Sequence, residues 1–130
     1  MKKTIYGIFA AVMLCVVSAL TGCKEKPKAP AATLYYSPSC PHCHKAMAFL
    51  DKVEASQAYT EIKITRINVM TREGSKEYYD TKNALKIPQD GVPLFVIGEK
   101  YYIGFDTEPT TGEVYRQMIV EAISASKADK

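Results

Sequence analysis

The stretch "YYSPSCPHCHKAM", Tyr35 to Met47, sets two thiols and two imidazoles within five positions: Cys40, His42, Cys43 and His44. Three chemistries fit that spacing. Cys-x-x-Cys is a dithiol that cycles between two thiols and one disulfide. Cys-x-x-Cys-His is the attachment pattern of c-type haem, with thioethers at Cys40 and Cys43 and His44 as axial ligand. Two soft sulfurs beside two imidazoles also suit a metal carrier, copper(I) above all.

The rest of the chain weighs on the choice. Structural zinc takes four ligands from two separated knuckles, and there is no second Cys/His pair here. Four ligands from one short run make a poor coordination geometry. Haem attachment usually sits in a helical domain with a Met or His as second axial ligand. Met47 and Met70 are present, but Met on an apolar helix face is commonly core. The dithiol is therefore the leading assignment, with no cofactor and no metal. A non-enzymatic copper or haem carrier using Cys40, Cys43 and the nearby histidines is the alternative.

The chain has 130 residues and four cysteines. Lys2 and Lys3 precede an apolar run from Ile5 to Leu20, a secretory signal pattern. "LTGC", Leu20 to Cys23, follows at once. It resembles the bacterial lipobox, in which the cysteine is lipidated and the chain is cut just before it. Residues 1–22 are thus expected to be a lipoprotein signal peptide. Residues 23–32 would be a lipidated Cys23 and a flexible tether, and residues 33–130 the folded domain. "KEKPKAPAA" has the Lys, Pro and Ala content of a semi-extended linker. Cys15 would leave with the signal and Cys23 would become a thioether. Cys40 and Cys43 are then the remaining thiols, in a protein exported to a disulfide-permissive compartment. The ring that they close is too short to be a useful staple, so a chemical role is favoured.

The formal charge of +3 mostly reports the signal segment: without Lys2 and Lys3, 15 basic residues face 14 acidic ones. A near-neutral domain without a basic stripe speaks against nucleic-acid binding. A monomer on a lipid anchor, in the bacterial cell envelope outside the cytoplasm, is the expected form.

The elements that must position the dithiol follow from periodicity. Thr33–Tyr36 is a β-prone run. Ala46, Phe49, Leu50 and Val53 fall at helical spacing, with Pro41 in the first turn, where a missing N–H costs nothing. Ile62 and Ile64 alternate with polar residues in "TEIKITRINV", a second strand. "SKEYYDTKNALK" is a weakly periodic helix. "PLFVIG" and "YYIGF" around Gly98–Glu99–Lys100 form the strongest hairpin signal. "TTGEVYRQMIVEAISAS" is a last helix, with Thr110 and Glu113 at capping-box spacing and Val114, Met118, Ala122 and Ile123 on one face. The order is β-α-β-α-β-β-α, an α/β sheet with helices on both faces. Cys40 falls at the start of the first helix. There the free N–H groups favour its thiolate, and a protonated His42 would add to the effect. Cys43, one turn on, lies deeper and attacks second.

This order, Cys40-Pro41-His42-Cys43 and the later Val92-Pro93 together resemble the thioredoxin superfamily, across nearly all of Thr33–Ser126. "LYYSPSCPHCHKAMAFLDK" and "GVPLFVIGEKYYIGFD" look most like glutaredoxins, and the Pro-His pair is that of DsbA-type oxidases. The resemblance implies a thioredoxin fold with a mixed central sheet and thiol–disulfide oxidoreductase activity. Cys40 would be the nucleophile, Cys43 the resolving thiol and His42 a tuner of the thiolate. Pro41, Val92 and a cis Pro93 would shape a groove for protein thiol or disulfide substrates and a redox partner protein. Three positions depart from the pattern. Leu34 stands where thioredoxins carry a buried carboxylate. Gly104-Phe105 replaces the glutaredoxin Gly-Gly, and Ser37-Pro38 stands in place of a lysine, which leaves glutathione recognition open. There is also no room for the helical insertion of DsbA-type proteins. The direction of electron flow does not follow from these residues.

Overall fold

A computed structural model of the chain describes residues 29–129. The expected signal segment, Cys23 and tether residues 24–28 lie outside the described residues. The elements are β1 (Ala31–Tyr36), α1 (Pro41–Ala55), β2 (Lys63–Asn68), α2 (Arg72–Ala84), β3 (Leu94–Ile97), β4 (Lys100–Ile103) and α3 (Glu113–Ala128). Their order is the one that periodicity predicts. β1 begins two residues before the expected Thr33. Parallel pairing recruits Ala31 and Ala32 opposite Lys63 and Ile64 of β2.

The four strands lie in the order β2-β1-β3-β4. β1 and β2 are parallel, as the α1 crossover between them requires. β3 runs antiparallel to β1 and turns back through Gly98 into β4. Side chains along a strand alternate between faces, so each strand serves two cores. Ala32 and Leu34 of β1, with Phe95 and Ile97 of β3, face Phe49, Leu50 and Val53 of α1 and Tyr115, Ile119 and Ile123 of α3. Tyr35, Leu94 and Val96 point the other way, toward Tyr78 of α2 and Ile87. The sheet is therefore covered on both sides.

The first core is built around aromatic rings. Tyr115 stacks on Phe95 with centroids 4.3 Å apart and meets Phe105 edge-on at 5.4 Å. Phe49 packs on Phe105 at 5.5 Å. Each such ring removes ~150–250 Å² from water, so this cluster dominates the apolar stabilisation. The four periodic residues read in α1 are all buried.

The start of α3 differs from the reading. The Thr110–Glu113 capping box does not form. A single wide turn over Glu108–Gly112 precedes the helix, closed by the Gly112 N–H on the Thr107 carbonyl at 3.1 Å. Thr110 Oγ1 instead meets Thr107 Oγ1 at 2.8 Å. Tyr115 and Ile119 take the fully buried positions, while Val114 and Ala122 are half-buried beside Met118 and Ile123.

Candidate active site

The chain leaves β1 at Tyr36 and makes a tight turn, with Pro38 at its second position and the Cys40 N–H on the Ser37 carbonyl at 3.1 Å. That turn delivers Cys40 as the N-cap of α1, with extended backbone and Pro41 as the first helical residue. The Cys40 sulfur does the work that a Ser or Asp oxygen does at other helix starts. It accepts the Cys43 backbone N–H at 3.3 Å. It thus faces an unpaired donor at the positive end of the helix, a place that favours negative charge. Cys40 is half-buried, with a path to solvent, whereas Cys43 has no exposed surface. Both are free thiols.

The second wall comes from 52 residues away. The peptide bond between Val92 and Pro93 is cis. The Val92 carbonyl lies 3.8 Å from the Cys40 sulfur, which donates to it as a thiol. The Pro93 carbonyl accepts the Gly104 N–H at 2.7 Å. Gly104 has φ of +98°, a conformation that a side chain would strain. Its own carbonyl accepts the buried Tyr115 hydroxyl at 3.1 Å. The next carbonyl, that of Phe105, accepts Nδ1–H of His42 at 2.7 Å, so this nitrogen carries the proton. His42 therefore ties the N-terminus of α1 to the Gly104–Phe105 turn, and its hydrogen bond goes to that turn rather than to Cys40. A recess of about 300 Å³ opens here, lined by His42, Val92, Gly104, Phe105, Asp106 and Thr111.

His44 is exposed and donates through Nε2 to the Pro38 carbonyl at 2.7 Å. Both imidazoles are thus engaged with backbone on either side of the dithiol. Among the described residues, no three His, Cys, Asp or Glu side chains cluster in a way that could hold a metal.

Burial is the main cause that pushes the Cys43 thiol up, to about 12, and the neighbouring Cys40 sulfur adds to it. No carboxylate is among the groups that act on Cys43. Leu34, where a thioredoxin-like carboxylate would stand, is fully buried in the apolar core. Burial likewise raises the Tyr115 phenol, with the nearby Cys43 a smaller cause.

The structure thus brings Cys40, Pro41, His42, Cys43, Val92 and Pro93 to one end of the sheet. It also adds partners that spacing along the chain does not show. The Phe105 carbonyl is 63 residues from His42, and Gly91, which Tyr78 holds, is 13 residues further on. These contacts use main-chain atoms or a lone hydroxyl, and a residue-type pattern carries no trace of them. Tyr78 is buried. Tyr79, Tyr101 and Tyr102 are exposed.

The sheet order, the crossover helix and the helices on both faces define a thioredoxin-like fold. The solved structure of oxidised thioredoxin O2 from Arabidopsis thaliana shares it, with a TM-score of 0.50 at 12% identity over 68% of this chain and 75% of that one. Mitochondrial thioredoxin 3 of Saccharomyces cerevisiae aligns at 22% identity with a TM-score of 0.46, over 68% and 77% of the two chains. In sequence, a probable thioredoxin of Archaeoglobus fulgidus is 40% identical over 70 residues, which span 54% of this chain and 67% of that protein. The chain is a thioredoxin- or glutaredoxin-like redox protein. The glutaredoxin family pattern matches residues 32–102, more than half of the chain, and the chain belongs to that family.

Proposed function

We propose that this protein is a thiol–disulfide oxidoreductase acting on protein partners through Cys40 and Cys43. The observation that carries this is the placing of one sulfur at a helix N-cap, half-open to solvent, with a second buried one turn behind it. The Cys40 thiolate attacks one sulfur of a partner disulfide. A Cys40–partner S–S bond forms, the partner's own S–S bond breaks, and the released sulfur leaves as a thiolate that takes up a proton. Cys43 then gives up its proton and attacks the Cys40 sulfur. The Cys40–Cys43 disulfide forms and the partner leaves with both cysteines reduced. Two electrons pass from this dithiol to the partner, and the same steps in reverse oxidise a partner dithiol. Val92 and Pro93 form the edge beside which a partner segment lies, and Pro41 starts the helix that presents Cys40. His42, held on Phe105, tunes the thiolate through its charge when protonated, as in the DsbA-type Pro-His pair.

The proposal extends to location. The basic start, the apolar run and "LTGC" support export and lipidation at Cys23, and so a membrane-anchored protein of the bacterial envelope. No partner class other than protein thiols and disulfides is assigned.

The test is a trap. In Cys43→Ser the second attack cannot occur, so covalent Cys40 adducts with partner proteins should accumulate in the native host and dissolve on reduction. Cys40→Ser should give none. Adducts absent from Cys43→Ser, in a protein that neither reduces nor oxidises disulfides, would overturn the proposal.

A further inference from the structure

Helix α2 has no residue at the dithiol, yet it holds the strand of backbone that faces Cys40. The Tyr78 hydroxyl makes two bonds to one residue of the loop before β3. It accepts the Gly91 N–H at 3.0 Å and donates to the Gly91 carbonyl at 3.3 Å. One hydroxyl thus fixes both peptide groups flanking Gly91, the residue next to Val92. On its far side Gly91 is pressed against Ile103, since a Cβ there would sit 2.7 Å from the Ile103 Cγ2. One turn along α2, Lys82 is only 7% exposed and makes an ion pair with Asp90. Its ammonium lies 5.6 Å and 5.9 Å from the Tyr78 and Tyr79 ring centroids. A lysine so buried is held in place by its partner and by those rings. Tyr78 also meets Tyr35 of β1 edge-on at 5.7 Å, and the Tyr35 hydroxyl lies 2.7 Å from Thr81 Oγ1. One helix therefore grips both the strand that leads to Cys40 and the loop that ends at Val92.

We propose that Tyr78, supported by Lys82, is a positioning residue that sets the Val92 edge against the Cys40 sulfur and so determines how well a disulfide-bearing polypeptide is held for attack. This rests on the thiol–disulfide function proposed above. A polypeptide needs the loop at the right height along its length. A small disulfide needs only access to Cys40. The two substrate classes should therefore respond differently to loss of the hydroxyl.

The experiment compares the full chain with Tyr78→Phe and Lys82→Met. Substrates are insulin, as a disulfide-bonded polypeptide, and a small aryl disulfide. Tyr78→Phe keeps the ring against Tyr35 and removes both Gly91 bonds. The KM for insulin is expected to rise about tenfold, as suits one or two lost hydrogen bonds, with kcat changed less than twofold. The bimolecular rate with the aryl disulfide should change less than twofold. Lys82→Met keeps the buried stem and frees Asp90, and a smaller rise of about threefold in the same KM is expected. Lys82→Met also serves if Tyr78→Phe does not fold. Unchanged insulin KM in both variants, or equal losses toward both substrates, would overturn the positioning role while the exchange function stands. A wild-type protein inactive on both substrates would instead remove the function on which it rests.

Discussion

Cys43 has no exposed surface, and its thiol keeps its proton up to about pH 12. An ordinary thiol gives its proton up near 9.0. Below that value the folded and unfolded chains both hold it, and Cys43 adds no pH dependence. Above it the unfolded chain ionises and the folded one does not. The unfolded state then binds fewer protons, so stability falls as pH rises. Thermal melting of the reduced protein from about pH 8 to about pH 11 should show a steeper loss for wild type than for Cys43→Ala. Equal slopes would mean that burial does not hold the proton. The same residue shapes the exchange chemistry. With Leu34 in the carboxylate position, no carboxylate among the described residues acts on Cys43 to receive its proton. In the proposed exchange this should make the second attack the slower one, and rapid acid quenching during turnover should then trap the covalent Cys40 adduct. The motif Cys40–Cys43 was legible at once, because residue types at fixed spacing carry it. The tie from His42 to the Phe105 carbonyl was not, because any residue supplies a carbonyl.

At the scale of elements, α2 shows why some helices read clearly and others do not. The buried stripe of α1 is Ala46, Phe49, Leu50 and Val53, and hydropathy reports it. The buried stripe of α2 is Gly74, Tyr78 and Lys82, at helical spacing but with one small and one charged residue. Gly74 makes a close backbone approach to Asn68 at the end of β2, and Lys82 pairs with Asp90 of the loop before β3, so two of the three buried positions are not apolar. α2 also starts at Arg72, three residues before the Ser75 that the weak periodicity marks. Thr71 is its N-cap, accepting the Gly74 N–H at 3.0 Å and donating to the Asn68 carbonyl at 2.9 Å. Thr71→Ala should cost about 1 kcal/mol in equilibrium urea unfolding. Gly74→Ala should cost more, ~2 kcal/mol or above, because its Cβ would lie 2.0 Å from the Asn68 carbonyl oxygen and backbone must move. The reverse ranking would place the strain elsewhere. At the start of α3, the wide turn over Glu108–Gly112, closed by the Gly112 N–H on the Thr107 carbonyl, takes the place of the capping box, and its four-residue spacing is a false guide there.

At the scale of the whole molecule, element order was the most legible feature, since it needs only type and sequence, whereas the strand order β2-β1-β3-β4 rests on long-range pairing that residue patterns do not carry. Export and anchoring rest on the first 23 residues. Cys23→Ser should move the protein from the membrane fraction to the soluble one and abolish labelling by a fatty-acid analogue. Membrane retention of that variant would point to an uncut apolar anchor instead. The path of β1 adds a geometric consequence. The chain comes into the sheet at Ala31 and runs along six residues, ~20 Å, before the turn to Cys40. An anchor upstream of Ala31 would hold the protein by the pole opposite its dithiol. The reactive end would then lie across the domain from the attachment point. That would leave the edge beside Cys40 clear of the tether for a partner protein.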